Sequence, residues 1–154
     1  MRVSAIVAGV ALAVAACGGK GAPAAADSNQ PAAPTAAAPA ATGATHEIQM
    51  VQEGANSYKF MPDTLTIKQG DVVVFKGISG NGHDVAFYPD SIPAGAAAVL
   101  NAAITDQSQP LATNMIADGQ SVSISFAGAP VGVYKFYCIP HAPMGMKGQL
   151  TVTQ

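Results

Sequence analysis

The sequence has few charged residues, few metal-binding side chains and no long apolar run, and each shortage excludes some classes of protein function. Only 10% of its 154 residues are charged and the net charge is −2. It therefore has no basic patch for nucleic acid and no strong field to attract an ionic substrate. The N-terminal apolar run, residues 3–16, is shorter than the ~20 residues of a comfortable membrane span. With two cysteines and three histidines, any thiol or imidazole chemistry must draw on very few residues.

The N-terminus has the features of an export signal. Arg2 supplies a positive charge before the apolar run, which ends in Val-Ala-Ala before Cys17. Small residues directly before a cysteine resemble the processing site of bacterial lipoproteins, which implies removal of residues 1–16 and attachment of lipid to Cys17. An ordinary signal peptide that is cleaved elsewhere is the alternative. The sequence thus predicts an extracytoplasmic protein, lipid-anchored to a bacterial membrane and facing the periplasm or the cell exterior.

Residues 17–45 are predicted to be a flexible linker. They are rich in alanine, but four prolines interrupt any helix that the alanines could start, and the apolar residues show no period. A flexible coil of this length spans roughly 30 Å, so the domain that follows is expected to stand off the membrane. That domain comprises residues 46–154. His46, at its edge, is expected to have no role.

The pattern of residues 46–154 is that of a β-protein. Short alternating segments are separated by Gly, Pro, Asn and Asp turns, which is typical of a sandwich or barrel. An alanine-rich stretch at 94–104 predicts one short helix, and residues 106–119 are predicted to be a loop. The predicted strands are 47–52, 58–62, 64–67, 72–75, 84–88, 121–126, 133–137 and 149–153.

Most of the soft-ligand chemistry of this domain lies in one segment near its end. Cys138, His141 and Met146 occur within a few residues of one another, and His83 lies upstream in a glycine-rich turn. Two imidazoles and a thiolate in a near-trigonal plane, with a weak axial methionine, form a copper site of the electron-transfer kind. A lone thiol in an oxidising compartment also needs protection, which a metal would provide. The sequence therefore predicts one copper ion bound by His83, Cys138, His141 and Met146.

Beyond these ligands, the domain resembles the plastocyanin-like blue (type 1) copper proteins, or cupredoxins. The resemblance implies an all-β, Greek-key sandwich or barrel with one short helix in a long loop. It also implies a monomeric, mobile electron carrier whose copper cycles between Cu(II) and Cu(I), and whose C-terminal histidine ligand, here His141, passes electrons to redox proteins such as cytochromes. The resemblance covers residues 46–154 and rests on 58–67, 70–71, 74–75, 83–87, 90–95, 134–138, 140–141 and 145–148.

Two features depart from the family's pattern, and the choice of axial ligand is a separate question. Plastocyanins normally have asparagine after the first histidine, where this chain has Asp84. A carboxylate there either has a role, in that it accepts the bracing hydrogen bonds or adds negative charge that lowers the reduction potential, or it is solvated without electronic effect. The acidic docking surface of plant plastocyanins is also largely absent, with Asp90 remaining near the corresponding segment. For the axial ligand, the Met-x-Gly pattern favours Met146 over Met144.

Other classes of function fit the residues less well. His141 is too close in sequence to Cys138 for a cysteine–histidine protease, and no oxyanion site is evident, so no enzyme activity is expected. Methionine is a poor zinc ligand, which argues against a structural zinc site. The alternative from another class is a periplasmic copper-binding protein, or chaperone, that hands Cu(I) to another protein.

Overall fold

A computed structural model describes residues 42–154, which form two packed β-sheets. The predicted signal peptide 1–16, the lipidated Cys17 and nearly all of the linker 17–45 lie outside the described residues. The described chain contains ten strands, one α-helix and two short 3₁₀ turns, Pro89–Ser91 and Ala142–Met144. The strands are β1 (Thr45–Gly54), β2 (Ser57–Met61), β3 (Thr64–Lys68), β4 (Val72–Gly77), β5 (Ala86–Phe87), β6 (Gln107–Gln109), β7 (Ala112–Thr113), β8 (Ser121–Ser125), β9 (Gly132–Tyr137) and β10 (Lys147–Thr153).

The two sheets have four and six strands. The first has the order β2-β1-β4-β8, and the second has the order β3-β10-β9-β5-β7-β6. β1 pairs with β4 in parallel, as β10 does with β3, and the other pairings are antiparallel. The predicted all-β sandwich with one short helix is therefore confirmed.

Alternation along the strands determines which side chains face the core. In β4, Val73 and Phe75 are fully buried while their neighbours are half-exposed, and in β8 Ile124 is the buried residue. At the centre, Phe136 meets the edges of Phe60 and Phe75, with ring centroids 4.8 and 5.5 Å apart. Each such aromatic contributes roughly 1.5–3 kcal/mol by burial, and more through edge-to-face contact. This aromatic cluster makes a rigid support for the loops at the ends of β4 and β9.

The connection between β5 and β6 contains α1 (Ala96–Ala103), close to the predicted helix at 94–104. It begins after Gly95, whose φ of 83° suits glycine, and it buries Ala96 and Leu100 against the core. The prediction that 106–119 is a loop was wrong in part, because β6 and β7 lie within it. These strands have only three and two residues, so no alternation could reveal them.

None of the helices in residues 42–154 is long and apolar enough to cross a membrane.

The start of β1 is held by Asp71, in the turn between β3 and β4. Its buried carboxylate accepts hydrogen bonds from the backbone N–H groups of Ala44 and Lys68, at 2.8 and 2.9 Å, and pairs with His46 Nε2 at 2.7 Å. The expectation that His46 has no role was therefore wrong. These contacts of Asp71 with Ala44, Lys68 and His46, called the Asp71 clasp below, lie at the N-terminal end of β1. The glycine-rich turn that follows β4 lies at the other end of the parallel pair of β1 and β4.

Candidate metal centre

Three of the four predicted ligands meet at one point. His83, Cys138 and His141 each bring a potential ligand atom into a group whose members all lie within 4.8 Å of one another. Cys138 Sγ is 3.3 Å from His141 Nδ1 and 3.8 Å from His83 Nδ1, and the two Nδ1 atoms are 3.1 Å apart. His83 and Cys138 are fully buried and His141 is 8% exposed. The three atoms form a triangle that is open to a cation and closed to bulk water.

Backbone hydrogen bonds hold the two loops that carry this triangle. The backbone N–H of each of His83 and Ile116 donates to the carbonyl oxygen of the other, with N···O distances of 3.0 and 2.6 Å, which fixes the turn between β4 and β5. Cys138 directly follows β9, and its N–H donates to the carbonyl oxygen of Met146. The N–H groups of His141 and Met146 donate to the carbonyl oxygens of Cys138 and His141, respectively. These backbone hydrogen bonds close the ligand loop on itself.

The position of Met146 follows from the turn before it. After the 3₁₀ turn Ala142–Met144, Gly145 adopts a left-handed conformation with φ of 84°, which returns the chain towards β10. Met146 is fully buried next to Cys138, whereas the Met144 side chain is 38% exposed. The buried methionine is therefore Met146, which the sequence favoured over Met144 as the axial ligand.

The site favours neutral groups as long as no cation is present. Burial raises the pKa of the Cys138 thiol to about 12, although the Asp84 N–H points at its sulfur from 3.5 Å. Burial, and then the neighbouring His83, lower the pKa of His141. Because its pKa is raised, the Cys138 thiol becomes a thiolate ligand only when a metal displaces its proton.

Asp84 braces the two ligand loops, as the asparagine at this position is expected to do in plastocyanins. Its carboxylate accepts a hydrogen bond of 2.6 Å from the N–H of Ile139, and the side chain is buried. Burial raises the pKa of Asp84, and the Ile139 hydrogen bond opposes that rise. Of the two readings of Asp84, the solvated carboxylate is therefore wrong.

The outer sides of the two imidazoles are supported differently. His83 Nε2 lies 2.8 Å from the carbonyl oxygen of Ser79 and must donate to it, which leaves Nδ1 unprotonated and aimed into the triangle. His141 instead lies flat against the ring of Tyr58, with centroids 3.8 Å apart and an interplanar angle of 6°. The sequence placed Tyr58 only in a strand. No local pattern could reveal its contact with a loop that is distant from it in the sequence.

The surface around His141 is apolar. Pro143 and Met144 are exposed, Gly80 is half-buried, and Gly82 is covered, with Met115 close to its backbone. Three further exposed apolar side chains follow β4, adjoin Cys138 or precede Ile116. They are Ile78, Ile139 and Met115.

The family model that matches this chain and the proteins most similar to it describe the same kind of protein. The family model described as "Copper binding proteins, plastocyanin/azurin family" matches residues 44–153. Chloroplastic plastocyanin of Silene latifolia subsp. alba is 38% identical over 93 residues, which is 60% of this chain and 52% of that protein. The chain thus spans about half the length of that relative. Plastocyanin of Dryopteris crassirhizoma is 36% identical over 106 residues, covering 66% of this chain and 95% of the fern protein.

The fold of the solved fern protein is also similar. The structure of oxidized plastocyanin from Dryopteris crassirhizoma superposes with a TM-score of 0.54 at 33% sequence identity. The match covers 70% of this chain and 99% of the fern chain. The cupredoxin-like architecture that the sequence predicted is therefore confirmed.

Proposed function

Because the chain belongs to the plastocyanin/azurin family of copper-binding proteins, we propose that it is a mobile one-electron carrier with a single type 1 copper ion. When bound, the copper supplies the chemistry of taking up and releasing one electron by cycling between Cu(II) and Cu(I). The observation that carries this proposal is the buried triangle of one thiol and two imidazole Nδ1 atoms within 4.8 Å.

The donor set of this chain fits copper better than other common metals. We propose Cys138, His83 and His141 as the three strong ligands, because thiolate suits Cu(I) and imidazole suits both oxidation states. Met146 is proposed as the weak axial ligand, since its side chain is buried beside Cys138 while that of Met144 is exposed. A thioether is a poor ligand for zinc, so a structural zinc site is disfavoured.

The residues around the ligands favour electron transfer because they resist rearrangement. The Ser79 carbonyl fixes the ring of His83, and the Asp84 carboxylate ties the His83 turn to the Cys138 loop. Pro140 and Pro143 lack N–H groups and so add no further donors that compete for the thiolate. A site that keeps its shape in both oxidation states loses little energy to reorganisation when an electron moves.

The competing functions gain less support. The relatives are plastocyanins, and they agree with the prediction that this chain is not an enzyme. Nothing among these relatives points to a copper chaperone. The chaperone remains an outcome of the test below.

The proposed setting is extracytoplasmic and membrane-tethered. Lipid on Cys17 and the linker 17–45 would hold the domain 46–154 near membrane complexes and raise its effective concentration there. Redox proteins, such as cytochromes, are the proposed partners of a monomeric carrier. They would approach His141 across the apolar surface that includes Met144 and Ile139, where brief contact allows rapid turnover.

Repeated redox cycling distinguishes a carrier from a chaperone. The full chain, loaded with Cu(II), is reduced with ascorbate and reoxidised with ferricyanide in the presence of a Cu(I) chelator, and protein-bound copper is measured after each cycle. A carrier retains its copper and its visible absorption over many cycles. Loss of the copper to the chelator after the first reduction would favour the chaperone and contradict the proposal.

A further inference from the structure

The turn that carries His83 also contains an Asn-Gly pair, Asn81-Gly82, which has no part in the metal centre. Asn81 has a left-handed φ of 61°, and Gly82 has a φ of 102°. Glycine adopts such angles without strain, and asparagine tolerates them better than most residues. A side chain at Gly82 would also be crowded, because its Cβ would lie 3.1 Å from the terminal methyl carbon of Met115. The shape of the turn therefore favours this pair of residues.

The same pair is chemically reactive. Asparagine is a labile residue, and a glycine after it leaves the next backbone nitrogen without a side chain to shield it. Asn81 is exposed to solvent. Within residues 42–154, neither the Asn81 amide nor the Gly82 N–H forms a hydrogen bond. The Gly82 nitrogen can therefore approach the side-chain carbonyl of Asn81 without first breaking a hydrogen bond.

We propose that Asn81 is a site of spontaneous deamidation. The Gly82 nitrogen attacks Cγ of Asn81, so that an N–Cγ bond forms and the Cγ–Nδ2 bond breaks. The proton of the Gly82 N–H leaves with the amide nitrogen as ammonia. Water then opens the resulting succinimide at one of its two carbonyl groups. Opening at the side-chain carbonyl gives aspartate, and opening at the main-chain carbonyl gives isoaspartate, whose main chain runs through Cβ and Cγ and is one carbon longer.

The other asparagines of residues 42–154 are better protected. Asn101 Oδ1 accepts a hydrogen bond of 2.7 Å from a backbone N–H, and Asn114 Nδ2 donates to the Asp106 carboxylate. Asn56 is exposed in the turn between β1 and β2, but a serine follows it, and the serine side chain shields the attacking nitrogen. Deamidation in this part of the chain should therefore begin at Asn81.

The isoaspartate product would disturb the turn because both of its ends are anchored. Ser79 Oγ accepts a hydrogen bond of 3.0 Å from the Gln52 N–H, and the backbone of His83 pairs with that of Ile116. Between these ends, His83 Nε2 donates to the Ser79 carbonyl at 2.8 Å, which closes a small ring with Asn81 at its middle. An additional main-chain carbon lengthens this ring by a bond of ~1.5 Å. Since the ends are held, the hydrogen bond between Ser79 and His83 should break.

The two products therefore differ in their effect on the metal centre. The isoaspartate form loses the fixed orientation of His83 and releases copper more readily, whereas the aspartate form keeps the length of the main chain and the orientation of His83. The effect on copper rests on the proposed function, but the modification of Asn81 does not. Ageing of the protein would thus inactivate the site from a turn that provides one of its ligands.

The modification is tested on the full chain without metal. Wild type and two variants are incubated at mildly alkaline pH, and isoaspartate is located by peptide mapping and by labelling with an isoaspartyl methyltransferase. Asn81→Gly removes the reactive amide at a φ that glycine tolerates. Asp118→Asn is the matched control, because it creates a second exposed Asn-Gly pair whose Gly119 N–H donates to the carbonyl oxygen of Gly77 at 2.8 Å.

Wild type should accumulate isoaspartate at position 81 and release ammonia in step, whereas Asn81→Gly should form none there. In Asp118→Asn, position 118 should react severalfold more slowly than position 81, because its glycine nitrogen is bound. A synthetic peptide of residues 76–86 provides the positive control for the conditions. An Asn81 that stays intact in the protein while the peptide deamidates would overturn the inference, as would equal rates at positions 81 and 118.

The effect on His83 is measured on the separated products. In the metal-free isoaspartate form, the His83 Nε2 proton should exchange with water severalfold faster than in the wild type, and copper should pass faster to a chelator after loading. The aspartate form should keep the wild-type rates. Equal proton exchange in the two forms would overturn the predicted effect on His83. If the wild type formed no coloured Cu(II) site, the proposed function would fail instead, while the isoaspartate data would still decide the modification.

Discussion

Replacing Asp71 with alanine should destabilise the domain strongly, although Asp71 is far from the metal centre. Its side chain is 8% exposed and satisfies the N–H groups of Ala44 and Lys68 as well as His46 Nε2. A buried N–H that loses its acceptor costs about 1–3 kcal/mol. The two backbone groups lie near the surface, so the lower half of that range applies to each. His46 is 28% exposed, and its pair adds about 0–1 kcal/mol.

The expected loss is about 2–5 kcal/mol of the free energy of unfolding, a large part of the ~5–15 kcal/mol of a typical domain. Urea unfolding of the apo-protein should show it as a midpoint lowered by roughly 1–3 M, at an ordinary slope for this size. His46→Ala should cost about 1 kcal/mol or less. Asp118→Ala, at an exposed position, is the matched control and should stay within about 0.5 kcal/mol.

The pH dependence of this difference follows from the lowered pKa of Asp71. The Lys68 N–H is the largest cause of the lowering and His46 the second. A carboxyl with a lowered pKa in the folded state contributes stability above its unfolded pKa of ~3.9, and this is lost as pH falls through the folded value. The gap between wild type and Asp71→Ala should be full at neutral pH and narrow below about pH 4. An Asp71→Ala variant within about 0.5 kcal/mol of wild type at pH 7 would refute the reasoning.

Further predictions concern the metal centre. Met146→Gln should keep copper but lower the reduction potential by at least ~60 mV, the equivalent of a tenfold change in relative affinity, whereas Met144→Gln should leave it unchanged. Voltammetry tests this, and the reverse result would make Met144 the axial ligand. Cys138→Ser should abolish the intense visible band of the Cu(II) protein, and a band that survived would remove the thiolate from the ligand set. Asp84→Asn should raise the reduction potential by about 20–60 mV, because it removes the negative charge of the carboxylate while the amide oxygen keeps the Ile139 hydrogen bond. An unchanged potential would mean that the carboxyl group carries no charge there.

Much of the fold was predictable because its strands carry local signals. The alternation in β8, for example, marks both the strand and its inward face. β6 and β7 were missed because segments of two and three residues are too short to show a period. The parallel pairings of β1 with β4 and of β10 with β3 depend on how distant segments pack, and no local pattern specifies them.

The ligands were predictable for a different reason, namely that thiol, imidazole and thioether groups are rare in this chain and cluster in one loop. The residues that support them were not. Tyr58 and Ser79 contact the histidines through a tyrosine ring and a backbone carbonyl, which are common groups without a chemical signature. The Asp71 clasp was hidden for the same reason, since an aspartate in a turn is ordinary until its three donors are in place.

The most direct test of the copper site is the visible and electron paramagnetic resonance spectrum of the full chain loaded with Cu(II). A trigonal site of Cys138, His83 and His141 predicts an intense thiolate-to-copper band and an unusually small copper hyperfine splitting, both lost on mild reduction and restored on reoxidation. A colourless protein that binds only Cu(I), or one whose thiol is oxidised by Cu(II), would contradict the account.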